Sequence, residues 1–287
     1  MFEIWTFINP VIKSLLYAAS FSASGVILYC WHFKTIMSSE TTLYCKKLLK
    51  KSSVSGIIVS IIFFFSIAGN LGGEFLSIFD TELLLIAIDI PAGKSAIFSI
   101  AGFTILYFGL SIQIFNHFFI KILSGGIILS SFIIVGHAAK SGVLSQMLIF
   151  IHLVCISYWV GSLLPLRNLC MCGSKNELFN TAEKFGKLAV LYISILLLAG
   201  ISFSYILLGK ISLLFTSTYG NILLAKILFV TGLLAFGAFN KYRVTPIILN
   251  DFHVSSKRLF SSINIEIVLA CSIFFLTSLL TTSVAVP

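Results

Sequence analysis

Two histidines, His137 and His152, lie in consecutive apolar segments of the chain. Two neutral imidazoles can share a copper, zinc or haem iron ion, because each ring offers a nitrogen lone pair and buries no net charge. His137 ends one segment, and His152 lies a short way into the next. Since a connection of about five residues joins the two segments, we expect adjacent antiparallel helices with both rings at the same end.

Two softer donors lie near His152. Cys155 follows it by three residues and shares its helical face, whereas Met147 precedes it by five residues and points elsewhere unless the helix distorts. A purely structural role is the alternative, in which each imidazole hydrogen-bonds to a nearby hydroxyl or backbone carbonyl. The sequence therefore predicts a metal site at His137 and His152, with Met147 and Cys155 as secondary ligands.

Other polar or packing residues stand out within apolar segments. Trp159 and Gly161 are expected to pack helices together, since a glycine permits close approach. Lys226 and Glu266 are expected to extend towards opposite membrane surfaces, because burying a charge in lipid is costly. In the alternative arrangement, Glu266 meets Asn240 or Arg243 across a helical hairpin and forms an inner gate.

The cysteines do not suggest a disulfide framework. At least three of the six lie in apolar runs, where a thiol acts as a small hydrophobic group. Cys30, Cys45 and the sequence Cys170-Met171-Cys172 fall near the same predicted end of the bundle. Thiolate and thioether donors suit Cu(I), so a soft exit site is one interpretation, and ordinary structural thiols are the other.

The composition shows which solvent surrounds these residues. Of the 287 residues, 58% are hydrophobic and only 10% are charged, with a mean hydropathy of +1.07. A soluble domain has roughly 45–50% apolar and 25% charged residues. The chain is therefore predicted to be an all-α, polytopic membrane helix bundle, a single integral membrane domain over 1–287 with a retained first span. About eight apolar segments are long enough to cross the bilayer, at 10–33, 54–79, 95–116, 119–139, 145–168, 185–208, 219–241 and 262–285.

The distribution of basic residues predicts the orientation. Fourteen of the 19 basic residues fall on one side of the eight-span arrangement, at positions 34, 46, 47, 50, 51, 121, 167, 175, 184, 187, 241, 243, 257 and 258. That side is expected to be cytoplasmic, which places both termini outside. The net charge of +9 is explained mostly by this orientation and not by nucleic-acid binding.

An acidic segment interrupts the apolar pattern on the predicted outer side. It contains Glu74, Asp80, Glu82 and Asp89, and residues 75–90 favour a short helix at the membrane interface. A solvated loop is one interpretation, and a surface for cations or a basic partner is another. No hydrolase, phosphate-binding or zinc-protease motif is present, so we do not expect an enzyme.

Several motifs together resemble the bacterial copper resistance protein D (CopD) family. They are Gly136-His137-Ala138, His152, Trp159 to Leu166, Thr218-Tyr219-Gly220 with Lys226, Asn240 to Pro246, and Glu266 with Leu279-Leu280-Thr281 and Pro287. The likeness is clear over about 120–287 and faint before it. The resemblance implies a multi-pass protein of the bacterial inner (plasma) membrane that takes part in copper homeostasis and passes copper from periplasm to cytoplasm. It also implies a periplasmic copper-binding CopC-like partner and makes His137 and His152 the copper ligands.

The sequence departs from such a transporter in one respect and leaves another class open. It has only four methionines, so no methionine ladder can relay Cu(I) across the bundle. The rival hypothesis is a haem b-binding electron-transfer protein or oxidoreductase that uses the same histidine pair. A third possibility is a scaffold that binds a periplasmic partner through the acidic segment at 74–89.

Overall fold

The structure is a computed structural model that describes residues 4–111, 117–135, 142–208, 210 and 212–283. Within these ranges every regular element is helical. The main helices are α1 (Ile4–Phe33), α2 (Ser39–Gly72), α3 (Thr81–Asp89), α4 (Pro91–Ser111), α5 (His117–Ser130), α6 (Val143–Cys172), α7 (Lys175–Leu208), α8 (Thr218–Phe239) and α9 (Phe252–Thr282). A 3₁₀ turn, Phe75–Phe79, precedes α3, and a one-turn helix, Leu213–Thr216, precedes α8.

Seven of these helices are long and apolar enough to cross a membrane, and α5 is a shorter apolar helix. This arrangement confirms the predicted all-α membrane bundle. A transmembrane helix needs about 20 residues, so α5, with 14, is short for a complete crossing. The span predicted at 119–139 therefore begins as expected but loses its helical form after Ser130, and its last residues lie outside the described ranges.

The second helix differs most from its predicted bounds of 54–79. Ser38 caps its start by accepting a hydrogen bond from the Thr41 backbone N–H, so the helix begins well before the apolar run. Gly73 ends it with a left-handed φ of 75°, a conformation in which a side chain would be strained. The apolar residues that follow form the 3₁₀ turn and the short helix α3, which was predicted.

Helix α1 is central to the bundle. It packs against α2, α5, α6 and α9, and α6 in turn packs against α7 and α9. Helices α7 and α8 lie at the periphery, where only 6% of their most apolar stretches is buried in the protein. The helices that touch α1 therefore form the core, and most of the surface of α7 and α8 is left for lipid.

The crossing of α1 and α6 depends on two glycines. A Cβ atom on Gly161 would lie 2.4 Å from the Gly25 Cα and 2.5 Å from the Phe21 carbonyl oxygen. A Cβ atom on Gly25 would lie 2.0 Å from the Ser157 carbonyl oxygen. Only residues without side chains allow the two backbones to approach this closely. The predicted packing role of Gly161 thus has a specific partner, Gly25.

We expect Gly161→Ala to destabilise the bundle by roughly 1–3 kcal/mol, because an added methyl group must push α1 and α6 apart. The measurement is unfolding of the purified protein in mixed micelles. Gly126→Ala is the matched control, since a Cβ at Gly126 would meet nothing within 4 Å. Equal free energies of unfolding for the two variants would show that the contact between Gly25 and Gly161 does not determine the stability of the bundle.

Candidate functional site

His152 lies on α6 with its ring directed at α7. Its Nδ1 is 3.2 Å from the Leu196 carbonyl oxygen, which can only accept, so Nδ1 carries the proton and donates. Gly200 provides room for the ring, because a Cβ there would lie 3.1 Å from the His152 Cε1 atom. This hydrogen bond leaves Nε2 with its lone pair, the arrangement that metal-binding histidines use to fix ring orientation.

Lys226, on α8, is the charged neighbour of this ring. Lys226 lies on the peripheral helix α8 and His152 on the core helix α6. The ammonium group is nevertheless close enough to the His152 ring to act on it electrostatically. Lys226 is itself half-buried. A positive charge beside an imidazole opposes the binding of a metal cation there. The sequence expectation that Lys226 simply extends to the outer surface overlooked this proximity.

The other proposed ligands do not join His152 in the described part of the chain. Cys155 is buried, and its sulfur interacts with Tyr192, whereas Met147 has 59% of its surface exposed. Residues within the described ranges form no group of three or more His, Cys, Asp or Glu side chains able to hold a metal. His137 lies outside the described residues. The structure thus supplies one oriented imidazole, and the pairing with His137 remains a prediction.

A second polar site surrounds Glu266 on α9. The Trp159 indole Nε1 donates to Glu266 Oε2 at 3.2 Å, and the Asn240 amide Nδ2 donates to Oε1 at 2.6 Å. Only 2% of the Glu266 surface is exposed. The expectation that Glu266 extends to the cytoplasmic surface is therefore wrong, because two neutral donors satisfy its carboxyl group inside the bundle. The structure contains the alternative contact with Asn240.

The backbone around Asn240 explains how its side chain reaches Glu266. Residues Asn240–Val244 form a π-helical turn after α8, and Pro246 follows, which has no N–H to continue a regular ladder. The Thr245 hydroxyl donates to the Asn240 carbonyl oxygen at 2.9 Å. Wide turns of this kind occur often at functional sites. Among the described atoms, the buried Asn240 Oδ1 has no hydrogen-bond partner.

Trp159 connects this site to the α1–α6 crossing. The side chain is 5% exposed, and a Cβ on Gly237 would lie 2.9 Å from its ring, so a glycine on α8 makes room for the indole. Trp159, which belongs to α6, thereby contacts α8 and α9. The expected packing role of Trp159 is present, with a hydrogen-bonding role that the sequence did not indicate.

Lys13 lines a small cavity near the N-terminal end of α1. The cavity measures about 30 Å³ and is bounded by Lys13, Tyr17, Ser95 and Thr281 among apolar side chains. Only 6% of Lys13 is exposed. The lysine side chain therefore turns into the bundle and away from the surface.

The opposite end of α1 carries a group of residues that sequence reasoning treated separately. Cys45 is buried in the core, and Cys30 is half-buried and packs against that core. His32 is half-buried, and its Nε2 lies 2.9 Å from the Tyr192 hydroxyl. In contrast, Cys170 packs on the core while Met171 and Cys172 are exposed, so that short motif presents its donors in different directions.

Comparison with known proteins gives a family match for the C-terminal part of the chain. Residues 179–280 match the family model of copper resistance protein D, CopD. The match covers most of α7, all of α8 and nearly all of α9, and it includes Lys226, Asn240 and Glu266. His152 and Trp159 lie before it. The chain has no match among curated proteins or solved structures. The match supports the resemblance to this family over those residues.

Replacing the buried carboxyl group tests the Glu266 site. We expect Glu266→Leu to lower the free energy of unfolding by roughly 1–3 kcal/mol, because it leaves the Trp159 and Asn240 donors unpartnered in a buried place. Glu266→Gln should lower the free energy of unfolding by less, since its amide oxygen still accepts one hydrogen bond. Unfolding monitored by tryptophan fluorescence provides the measurement.

Glu183→Gln is the control for these variants, because Glu183 is a partly exposed residue that pairs with Lys187 on the same helix at 2.7 Å. Such a surface pair contributes about 0.5 kcal/mol or less. A Glu266→Leu protein as stable as the control would contradict the role assigned to the hydrogen bonds.

Proposed function

We propose that this protein handles copper in the bacterial inner membrane and moves it from periplasm to cytoplasm through an outer site that contains His152 and His137. The CopD match supports the copper assignment, and the histidine site goes beyond it. Copper is the cargo in this proposal, and the protein is not an enzyme. Since no nucleotide-binding motif is present in the sequence, transport runs down a gradient or is coupled to another ion.

The observation that carries the proposal is the orientation of the His152 ring. Its Nδ1–H is engaged by the Leu196 carbonyl, so Nε2 is held as a lone-pair donor within the bundle. Imidazole is a suitable ligand for copper in either common oxidation state. His137 is the proposed second ligand on sequence grounds, with Cys155 and Met147 as secondary candidates.

The proposed direction of copper transport follows from the distribution of basic residues and the order of the helices. Fourteen basic residues lie on the side that the positive-inside rule assigns to the cytoplasm, which places His152 in the outer half of α6. Copper would enter from the periplasm, where a CopC-like protein is the proposed donor. The hydrogen bonds of Glu266 to Trp159 and Asn240 join α6, α8 and α9, and we assign them to the inner gate.

His152→Ala is expected to lower copper bound by the purified protein by one equivalent and to reduce cellular copper accumulation at least several-fold. His253→Ala is the matched control, because His253 is exposed at the start of α9. Metal content is measured by elemental analysis, and size-exclusion chromatography in detergent shows whether each variant retains its fold. Unchanged copper binding in a folded His152→Ala protein would overturn the site.

The same preparation separates the copper and haem hypotheses. A visible absorption spectrum without a Soret band, together with bound copper, supports copper handling. A Soret band that His152→Ala removes would instead establish the haem-binding alternative.

The charge of Lys226 supplies a further test. We expect Lys226→Gln to increase copper affinity at the His152 site by about 3- to 10-fold, because it removes a nearby positive charge that repels the metal. Competition with a copper chelator measures this affinity. Lys210→Gln, at an exposed position, is the control. A weaker affinity in Lys226→Gln would show that Lys226 supports the site instead of opposing the metal.

A further inference from the structure

We propose that Glu266 is a proton-binding site whose ionisation opens the inner gate to copper, so that uptake of the metal responds to the cytoplasmic pH. This inference rests on the proposed function in taking copper as the cargo. It adds the proton as the second ion to which the gate responds.

The carboxyl group of Glu266 is enclosed by neutral groups. Only 2% of the residue is exposed, and its oxygens accept one hydrogen bond each, from Trp159 Nε1 at 3.2 Å and from Asn240 Nδ2 at 2.6 Å. Burial disfavours the ionised form of a carboxyl group, whereas hydrogen bonds donated to its oxygens favour that form. The two effects oppose each other, so both protonation states are accessible to Glu266 in the folded bundle.

The side-chain amide of Asn240 can serve both protonation states. Its Nδ2 donates to Glu266, and among the described atoms its buried Oδ1 has no hydrogen-bond partner. This arrangement suits an ionised carboxylate, which can only accept. When Glu266 binds a proton, rotation of the amide by half a turn places Oδ1 where it accepts from the new O–H. Asn240 thus offers a donor to the carboxylate and an acceptor to the acid, while Trp159 donates to the other oxygen.

The site lies close to the predicted cytoplasmic surface. Asn240 begins the π-helical turn Asn240–Val244, and Arg243 in this turn is exposed. Arg243 is one of the basic residues that the positive-inside rule assigns to the cytoplasm. A proton therefore has a short route between Glu266 and cytoplasmic water.

The lysines of α1 and α8 lie far from the carboxyl group. Helices α1, α6 and α8 and the turn after α8 pack against α9. Lys13 on α1 shares its cavity with Thr281, about four turns after Glu266 on α9, and Lys226 precedes Asn240 by about four turns of α8. At a rise of about 1.5 Å per residue, each lysine position is about 20 Å from Glu266 along the helices.

The other ionisable groups of these elements have different partners or reach the surface. On α6, the Arg167 Nε donates to Asn264 Oδ1 at 2.7 Å. The histidines of α1 and α6 hydrogen-bond to α7, and they are His32 and His152. The remaining charged residues reach the surface, namely Lys241 and Arg243 in the turn, Asp251 before α9, and Lys257 and Arg258 on α9. Among the described residues no ion pair fixes the charge of Glu266, so its protonation can change with pH.

The proposed step is the dissociation of one proton. The Glu266 O–H bond breaks, its electron pair stays on the carboxylate, and the proton passes to cytoplasmic water with no change of oxidation state. The carboxylate then supplies the negative charge that favours a copper cation at the gate. Protonation removes that charge. Copper uptake is therefore expected to rise as the cytoplasmic pH rises and to fall as it is lowered.

The experiment uses the full chain in phosphatidylcholine vesicles, with the same pH inside and outside and with copper supplied as its histidine complex at equal free-ion concentration. Elemental analysis of the washed vesicles should show uptake at least several-fold faster at pH 8 than at pH 6. Glu266→Gln stays neutral at both pH values and should keep the low rate at pH 8. Glu183→Gln, at an exposed position, is the matched control. The same pH response in both variants would overturn the proposal.

Labelling with dicyclohexylcarbodiimide, an apolar reagent that adds to protonated carboxyl groups, tests the site without copper. Peptide mass spectrometry of the unaltered protein should show at least several-fold more modification of Glu266 at pH 6 than at pH 9, and little modification of Glu183 at either pH. Equal modification of Glu266 at the two pH values would overturn the proposal. Failure of the copper assignment is distinguishable, because uptake would then be absent at every pH while the labelling of Glu266 keeps its pH response.

Discussion

The close approach of α1 and α6 at Gly25 and Gly161 is the constraint on which the rest of the bundle depends. Lipid tails are as apolar as leucine side chains, so apolar burial gives membrane helices little reason to associate, and close backbone packing becomes decisive. Helix α1 also contacts α2, α5 and α9. The depth at which α6 crosses α1 therefore determines where Trp159 and His152 lie relative to every other helix.

The carboxyl group of Glu266 is satisfied inside the bundle by neutral groups alone. Glu266 accepts from two neutral donors, Trp159 and Asn240, and the described residues contain no basic partner paired with it. A carboxyl group held by neutral donors can change its protonation without leaving a lone cation in the core. The backbone from Asn240 to Val244 forms a π-helical turn in place of a regular α-helical end.

The sequence by itself determined the fold class, because 58% hydrophobic residues with few charges leave only a helical bundle in lipid. It also indicated the packing role of Gly161, the family resemblance supported by the match over 179–280, and the short helix within 75–90. These features depend on local composition, spacing and motifs, which the chain carries without reference to its neighbours.

Only the tertiary structure decided which distant side chains meet. The tertiary structure pairs Gly25 with Gly161 and places Lys226 near His152, and both contacts join helices far apart in the chain. It also buries Lys13 and gives Glu266 its two hydrogen bonds. Seven of the described helices are apolar enough to cross a membrane, so hydrophobic periodicity says little about which face of each helix meets which neighbour. That choice is made by the close contacts of glycines and the pairing of buried polar groups, and both exist only once the helices are assembled.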